Sequence, residues 1–115
     1  MNEDYVSFET AKLLKEKGFN EPVYRGISIN NLIFVKEEPE DFNHKLSAYC
    51  SQPTLQMAMK WLREVHHITI GITFSLDIIT YEIQKDEKFI TAIGSSRSYE
   101  DMVEEAIKYC LENLI

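Results

Sequence analysis

The stretch Pro53-Thr54-Leu55-Gln56-Met57-Ala58-Met59-Lys60-Trp61-Leu62-Arg63-Glu64-Val65-His66-His67-Ile68-Thr69-Ile70-Gly71-Ile72-Thr73-Phe74 carries two hydrophobic periods in succession. Projected at about 100° per residue, Leu55, Met57, Ala58, Met59, Trp61, Leu62 and Val65 cover an arc of roughly 200°, leaving Gln56, Lys60, Arg63 and Glu64 for solvent. A helix with so wide an apolar face is expected to be covered on more than one side. From Ile68 the period becomes two: Ile68, Ile70, Ile72 and Phe74 alternate with Thr69, Gly71 and Thr73, the pattern of a half-buried strand. A central helix therefore feeds directly into a strand.

Downstream, Ser75-Leu76-Asp77 reads as a short connection into a strand over residues 79–83, and Asp86-Glu87 turns the chain into another over 89–93. The result is a meander of three antiparallel strands. A final helix follows, with Ser98 as its N-cap, Glu100 and Asp101 in its first turn, and Tyr99, Met102, Val103, Ala106, Ile107, Cys110, Leu111 and Leu114 at helical spacing. It is expected to lie against the sheet. Gly94-Ser95-Ser96 before it reads as a turn leading to the cap.

Upstream, Leu46-Ser47-Ala48-Tyr49-Cys50 alternates like a strand. Glu37-Glu38-Pro39-Glu40-Asp41, four acids around a proline, is expected to be a solvated loop, because proline cannot donate to a central ladder. Residues 22–36 are extended, with Asn30-Asn31 as a two-residue hairpin turn, since asparagine tolerates positive φ. A short helix opens the chain, capped by Ser7 and closed by Gly18, with Phe8, Ala11 and Leu14 facing inward and Phe19 folded back on the last turn. The whole is read as one α+β domain over residues 1–115, a mostly antiparallel sheet packed with helices in the order helix, strands, helix, three-strand meander, helix. No residue-level repeat accompanies that alternation.

At 115 residues with 44% apolar and 27% charged side chains, the chain has the composition of an ordinary globular domain. Its formal charge of −7 opposes binding to nucleic acid, where lysine and arginine must displace counterions. No apolar run approaches the ~18 residues that cross a bilayer. Met1-Asn2-Glu3-Asp4 lacks the basic start and apolar run of a signal peptide, so a cytoplasmic protein is expected, with Cys50 and Cys110 as buried free thiols.

His44, His66 and His67 have no Cys-x-x-Cys, His-x-x-x-His or His-Glu-x-x-His spacing, so no metal and no cofactor is expected. His66 falls inside the apolar arc and reads as a packed, hydrogen-bonded histidine. There is no Gly-x-Ser-x-Gly elbow and no phosphate-cradling glycine loop, and no catalytic residue is assigned. Two features suit a partner surface: the acids Glu37, Glu38, Glu40 and Asp41, and the Met57–Trp61 pair, whose residue types favour adaptable interfaces although helical spacing also places them in a core.

The segments Tyr5-Val6-Ser7-Phe8-Glu9-Thr10-Ala11-Lys12-Leu13-Leu14-Lys15-Glu16-Lys17-Gly18-Phe19 and Pro53 through His66, with the ending from Ser98-Tyr99-Glu100-Asp101-Met102 to Leu114, resemble small uncharacterised proteins encoded in phages, prophages and other mobile elements of Bacteroides-type bacteria. Residues 22–49 are not matched. The resemblance implies a genomic setting, and no functional residue is carried over from it. The expectation is a non-enzymatic accessory protein of a phage or mobile element that binds another protein. The alternatives are an acidic inhibitor that mimics nucleic acid toward a host DNA-binding enzyme, and a small hydrolase or transferase. Neither nucleic acid nor membrane is an expected partner, and homo-oligomerisation is left open.

Overall fold

A computed structural model describes residues 4–44, 49–95 and 97–115. Among them lie three α-helices, α1 (Phe8–Glu16), α2 (Leu55–His66) and α3 (Tyr99–Asn113), and six strands, β1 (Val23–Ile27), β2 (Ile33–Glu40), β3 (Cys50–Ser51), β4 (Ile68–Ser75), β5 (Ile78–Lys85) and β6 (Lys88–Ser95). The strands form two antiparallel sheets, ordered β2-β1-β3 and β4-β5-β6, so the α+β class and the order of elements follow the sequence. The two sheets are not copies of one unit, since the central strand is the first in one and the second in the other.

Local chemistry sets the helix ends. Ser7, Thr54 and Ser98 each hold extended φ and ψ and accept a hydrogen bond from the amide three residues on, satisfying one orphan donor at each start. Gly18, at φ +92°, closes α1, and Phe19 N–H reaches back to Leu14 O over 2.9 Å. At the end of α2 a left-handed residue is again needed, and here His67 supplies it at φ 57°.

The helices form the middle of the molecule. Helix α3 packs Met102, Val103, Ala106, Ile107, Cys110 and Leu111, all fully buried, between the meander and α1. Polar links tie α1 to α3: Ser7 N–H donates to Glu104 Oε1 (2.9 Å), Lys108 Nζ meets Glu9 Oε1 (2.8 Å), and Lys17 Nζ donates to Ile115 O (3.2 Å). Helix α2 turns Trp61 onto Phe19, edge to face at 5.4 Å, so its apolar arc is covered from two sides as expected. Val65 departs from that arc and stands 50% exposed.

Three expectations in the first half need correction. The hairpin turn is three residues long, not two: Ser28 N–H donates to Leu32 O, Asn31 N–H to Ser28 O, and only Asn31 takes positive φ, so Ile29-Asn30-Asn31 spans the turn. The acidic run is strand, not loop, as far as Glu40. Proline is tolerated there because β2 is an edge, and the register with β1 slips between Val23 and Arg25. Strand β3 is confined to Cys50–Ser51, and residues 46–48 of the segment expected to be strand lie outside the described residues.

The two faces of β1 differ in how they are filled. Gly26 carries the ring of Phe34, 2.5 Å from where a Cβ would stand, and Phe34 in turn meets Phe42 and Tyr49 edge to face. On the other face Arg25 lies over the Tyr5 ring at 4.1 Å and donates to Gln52 Oε1, while Gln52 Nε2 donates to Val6 O. The buried Gln52 thus joins the N-terminal segment to the first sheet.

Candidate partner-binding surface

The second sheet outruns its helices. Opposed pairs on its inner face are Ile70 with Ile83, Ile72 with Tyr81, and Phe74 with Ile79. Ile83 and Tyr81 are sealed under α3, but α3 begins only at Tyr99, level with Phe74, whose ring it stacks at 5.9 Å. Beyond that point nothing covers the β4–β5 hairpin among the described residues. Phe74 is 64% exposed, Ile78 52%, and Leu76 between them fully exposed.

Ser75 pairs with Ile78, so Leu76-Asp77 is a two-residue turn with Leu76 at φ 51°. Turns of this type ordinarily place glycine at that position, because a Cβ in the left-handed region costs about 1–2 kcal/mol. Here the residue is a leucine that regains nothing by burial. Ile78 is steadied from the side: its Cγ2 would lie 3.2 Å from a Cβ on Gly94, so the bare glycine lets it rest on β6. The well-paired hairpin therefore ends in exposed Leu76, with Phe74 on the face toward α3 and Ile78 on the opposite face.

Its rim is acidic. Asp77 lies in the turn, and the Phe74–Tyr99 stack brings the start of α3 alongside, with Glu100 and Asp101 exposed. None of these three carboxylates has an ion-pair partner among the described residues. The neighbouring cation, Arg97, is engaged by Glu105.

The residues singled out from sequence are scattered. Trp61 is 3% exposed, wedged between Phe19 and His66, and Met57 is half-buried beside it, so this pair is interior packing with a small cleft of about 130 Å³ at its edge. Glu37 and Glu38 are exposed on β2, Glu40 is half-buried, and Asp41 contacts His44 Nδ1. His66 packs edge-on to Trp61 at 4.7 Å, but its Nε2 is buried without a hydrogen-bond partner among the described residues, contrary to the expected bonded histidine. Burial, then Lys85 and His67, holds its pKa below the ordinary value. Cys50 and Cys110 are buried free thiols; burial raises both, Cys110 to about 12.

Among the described residues no group of three or more His, Cys, Asp or Glu is placed to hold a metal ion, and no helix is long and apolar enough to cross a membrane. An open cleft of about 420 Å³ lies where α2 ends, lined by Arg63, His67, Thr69, Gln84, Asp86 and Glu87. It brings charges of both signs together without a serine or cysteine nucleophile among them. Sequence reasoning passed over Leu76 because Ser-Leu-Asp looks like any polar-flanked connection. The available signal was a leucine where a two-residue turn calls for glycine, asparagine or aspartate, with Phe74 and Ile78 on either side. No family model, no curated protein and no solved structure matches the chain.

Proposed function

We propose that this chain is a non-enzymatic accessory protein of a phage or mobile element that acts by binding another protein through the β4–β5 tip. The observation that carries the reading is Leu76: a fully exposed apolar side chain held at positive φ, between two exposed apolar neighbours. Conformational strain without compensating burial tends to mark functional sites, and exposed apolar side chains gathered at the end of a hairpin suit an interaction site. The resemblance of α1, α2 and α3 to small mobile-element proteins supplies the genomic setting.

The test is recovery of the tagged chain from Bacteroides-type cells carrying its element, compared with Leu76→Ser and with Glu37→Gln/Glu38→Gln. A protein that copurifies with the wild type and the β2 variant, and is lost with Leu76→Ser, supports the reading. Equal recovery with Leu76→Ser would place binding elsewhere on the molecule.

A further inference from the structure

Sheet edges are kept from pairing with other chains by charges, proline, bulges or shortness. Among the described residues, three of the strand edges carry such devices. Strand β2 has Lys36, Glu37, Glu38, Pro39 and Glu40 and a slipped register, and β3 is two residues long. Strand β6 opens on Lys88 and bulges at Ile90, the extra residue between the pairs Ile83–Thr91 and Gln84–Phe89. The remaining edge, β4, has none of them: its eight residues include no charge and no proline, and its register with β5 is unbroken. Asp86 N–H donates to His67 O over 3.0 Å, and hydrogen-bonded pairs alternate along an antiparallel ladder. Thr69, Gly71 and Thr73 therefore turn their backbone toward β5, and the N–H and C=O groups of Ile68, Ile70, Ile72 and Phe74 point out of the edge. No backbone group among the described residues bonds to them there. The helices' cover also runs out at this strand, since Tyr81 and Ile83 on β5 are sealed while Ile72 and Ile70 opposite them are half-buried.

We propose that two copies of this chain pair edge to edge through β4, antiparallel about Gly71, joining the two meanders into one sheet. The strand is its own complement in that register. Ile70 stands opposite Ile72 and Ile68 opposite Phe74 on the helix-covered face, Thr69 stands opposite Thr73 on the other, and every outward backbone group falls in a hydrogen-bonded pair. A slip of one residue would set isoleucine against threonine and turn the faces over. Because β4 is uncharged, two chains that each carry −7 meet there without like charges directly opposed. Leu76 lies beyond the last pair, so the hairpin tip stays open and the dimer is independent of what the tip binds.

Analytical ultracentrifugation over a concentration series tests the pairing in the full chain. The wild type should pass from monomer to dimer as concentration rises. A Cβ at Gly71 meets nothing within 4 Å, so Gly71→Lys fits the single chain, and circular dichroism should show its fold unchanged. In the dimer it sets two lysines opposite each other, and it should weaken association about tenfold or more although it lowers the net charge. Gly71→Thr, a better strand residue without charge, should dimerise at least as well as the wild type. Thr69 and Thr73 of opposite copies form a pair with Cα atoms about 4.5 Å apart, close enough for a disulfide. Oxidation should therefore cross-link a mixture of Thr69→Cys and Thr73→Cys, and neither variant alone. A monomer up to about 1 mM overturns the proposal, as does a dimer indifferent to Gly71→Lys, one lost equally with Gly71→Thr, or one dissolved by Leu76→Ser. Cross-linking of each cysteine variant alone as readily as of the mixture overturns the register about Gly71.

Discussion

Trp61→Ala tests how the interior is sealed. The indole is 3% exposed and touches Phe19 at 5.4 Å and His66 at 4.7 Å, each edge to face. A side chain of this kind buries on the order of 200 Å², which at about 25 cal/mol per Å² is ~5 kcal/mol as an upper bound. Alanine keeps a small part of that, and the hole it leaves adds a cavity term, so the expected loss is about 3–5 kcal/mol. With a urea m-value of ~2 kcal/mol per molar, the midpoint should fall by about 2 M with the slope unchanged. Trp61 is the only tryptophan, so the transition is followed by far-ultraviolet circular dichroism.

The same substitution should also change the pH dependence. His66 has its pKa lowered in the folded protein, so below the ordinary 6.5 the unfolded chain binds more protons than the folded one. Its contribution is then fully present above that value and is lost as pH falls through it toward the folded-state pKa. Removing the indole opens the buried Nε2 to water and should flatten this acid-side decline. A loss under ~1 kcal/mol would refute the packing argument. An unchanged pH slope would refute the coupling between the two rings.

Gly26→Ala must displace the Phe34 ring, itself held by Phe42 and Tyr49, and should lower stability by about 1–3 kcal/mol in thermal or urea unfolding. Leu76→Gly and Glu87→Gly each relieve a positive φ at an exposed turn, and each should raise stability by about 0.5–1 kcal/mol after the entropy of the unfolded glycine is counted; Leu76→Gly should at the same time lose the partner. Cys50 and Cys110 should react with an aromatic disulfide reagent at neutral pH only as fast as the protein opens, and at once in denaturant, because burial shields both and disfavours both thiolates.

Much of the architecture was legible because neighbouring residues decide it. The change of period at His67, the serines at positions 7 and 98, and Gly18 each act within a turn or two of themselves. Pro39 misled because whether a strand tolerates proline depends on which strand lies beside it, and that is set by pairing with β1 rather than by Glu38 or Glu40. Trp61 was ambiguous for the opposite reason: its helical spacing suits a core and an interface equally, and only the arrival of Phe19 from another part of the chain decides between them. The tip was the least legible. Phe74 alternates like its buried neighbours and is exposed because α3 starts at Tyr99 instead of several residues earlier, while Ile78, opposite Ser75, is on the face away from α3.

The unlike strand orders of the two sheets imply an order of assembly. In the meander each strand pairs with the next through a two-residue turn, so its contacts close short loops and cost little chain entropy. In the other sheet β3 must find β1 across more than twenty residues, Gly26 meeting Ser51, and the N-terminal segment must then bridge Tyr5 to Thr54. Long-range pairing of this kind is the slow part of folding. The meander with α3 is therefore the natural nucleus, and the first sheet, with Gln52 fastening it to Val6, closes afterward onto a surface already in place.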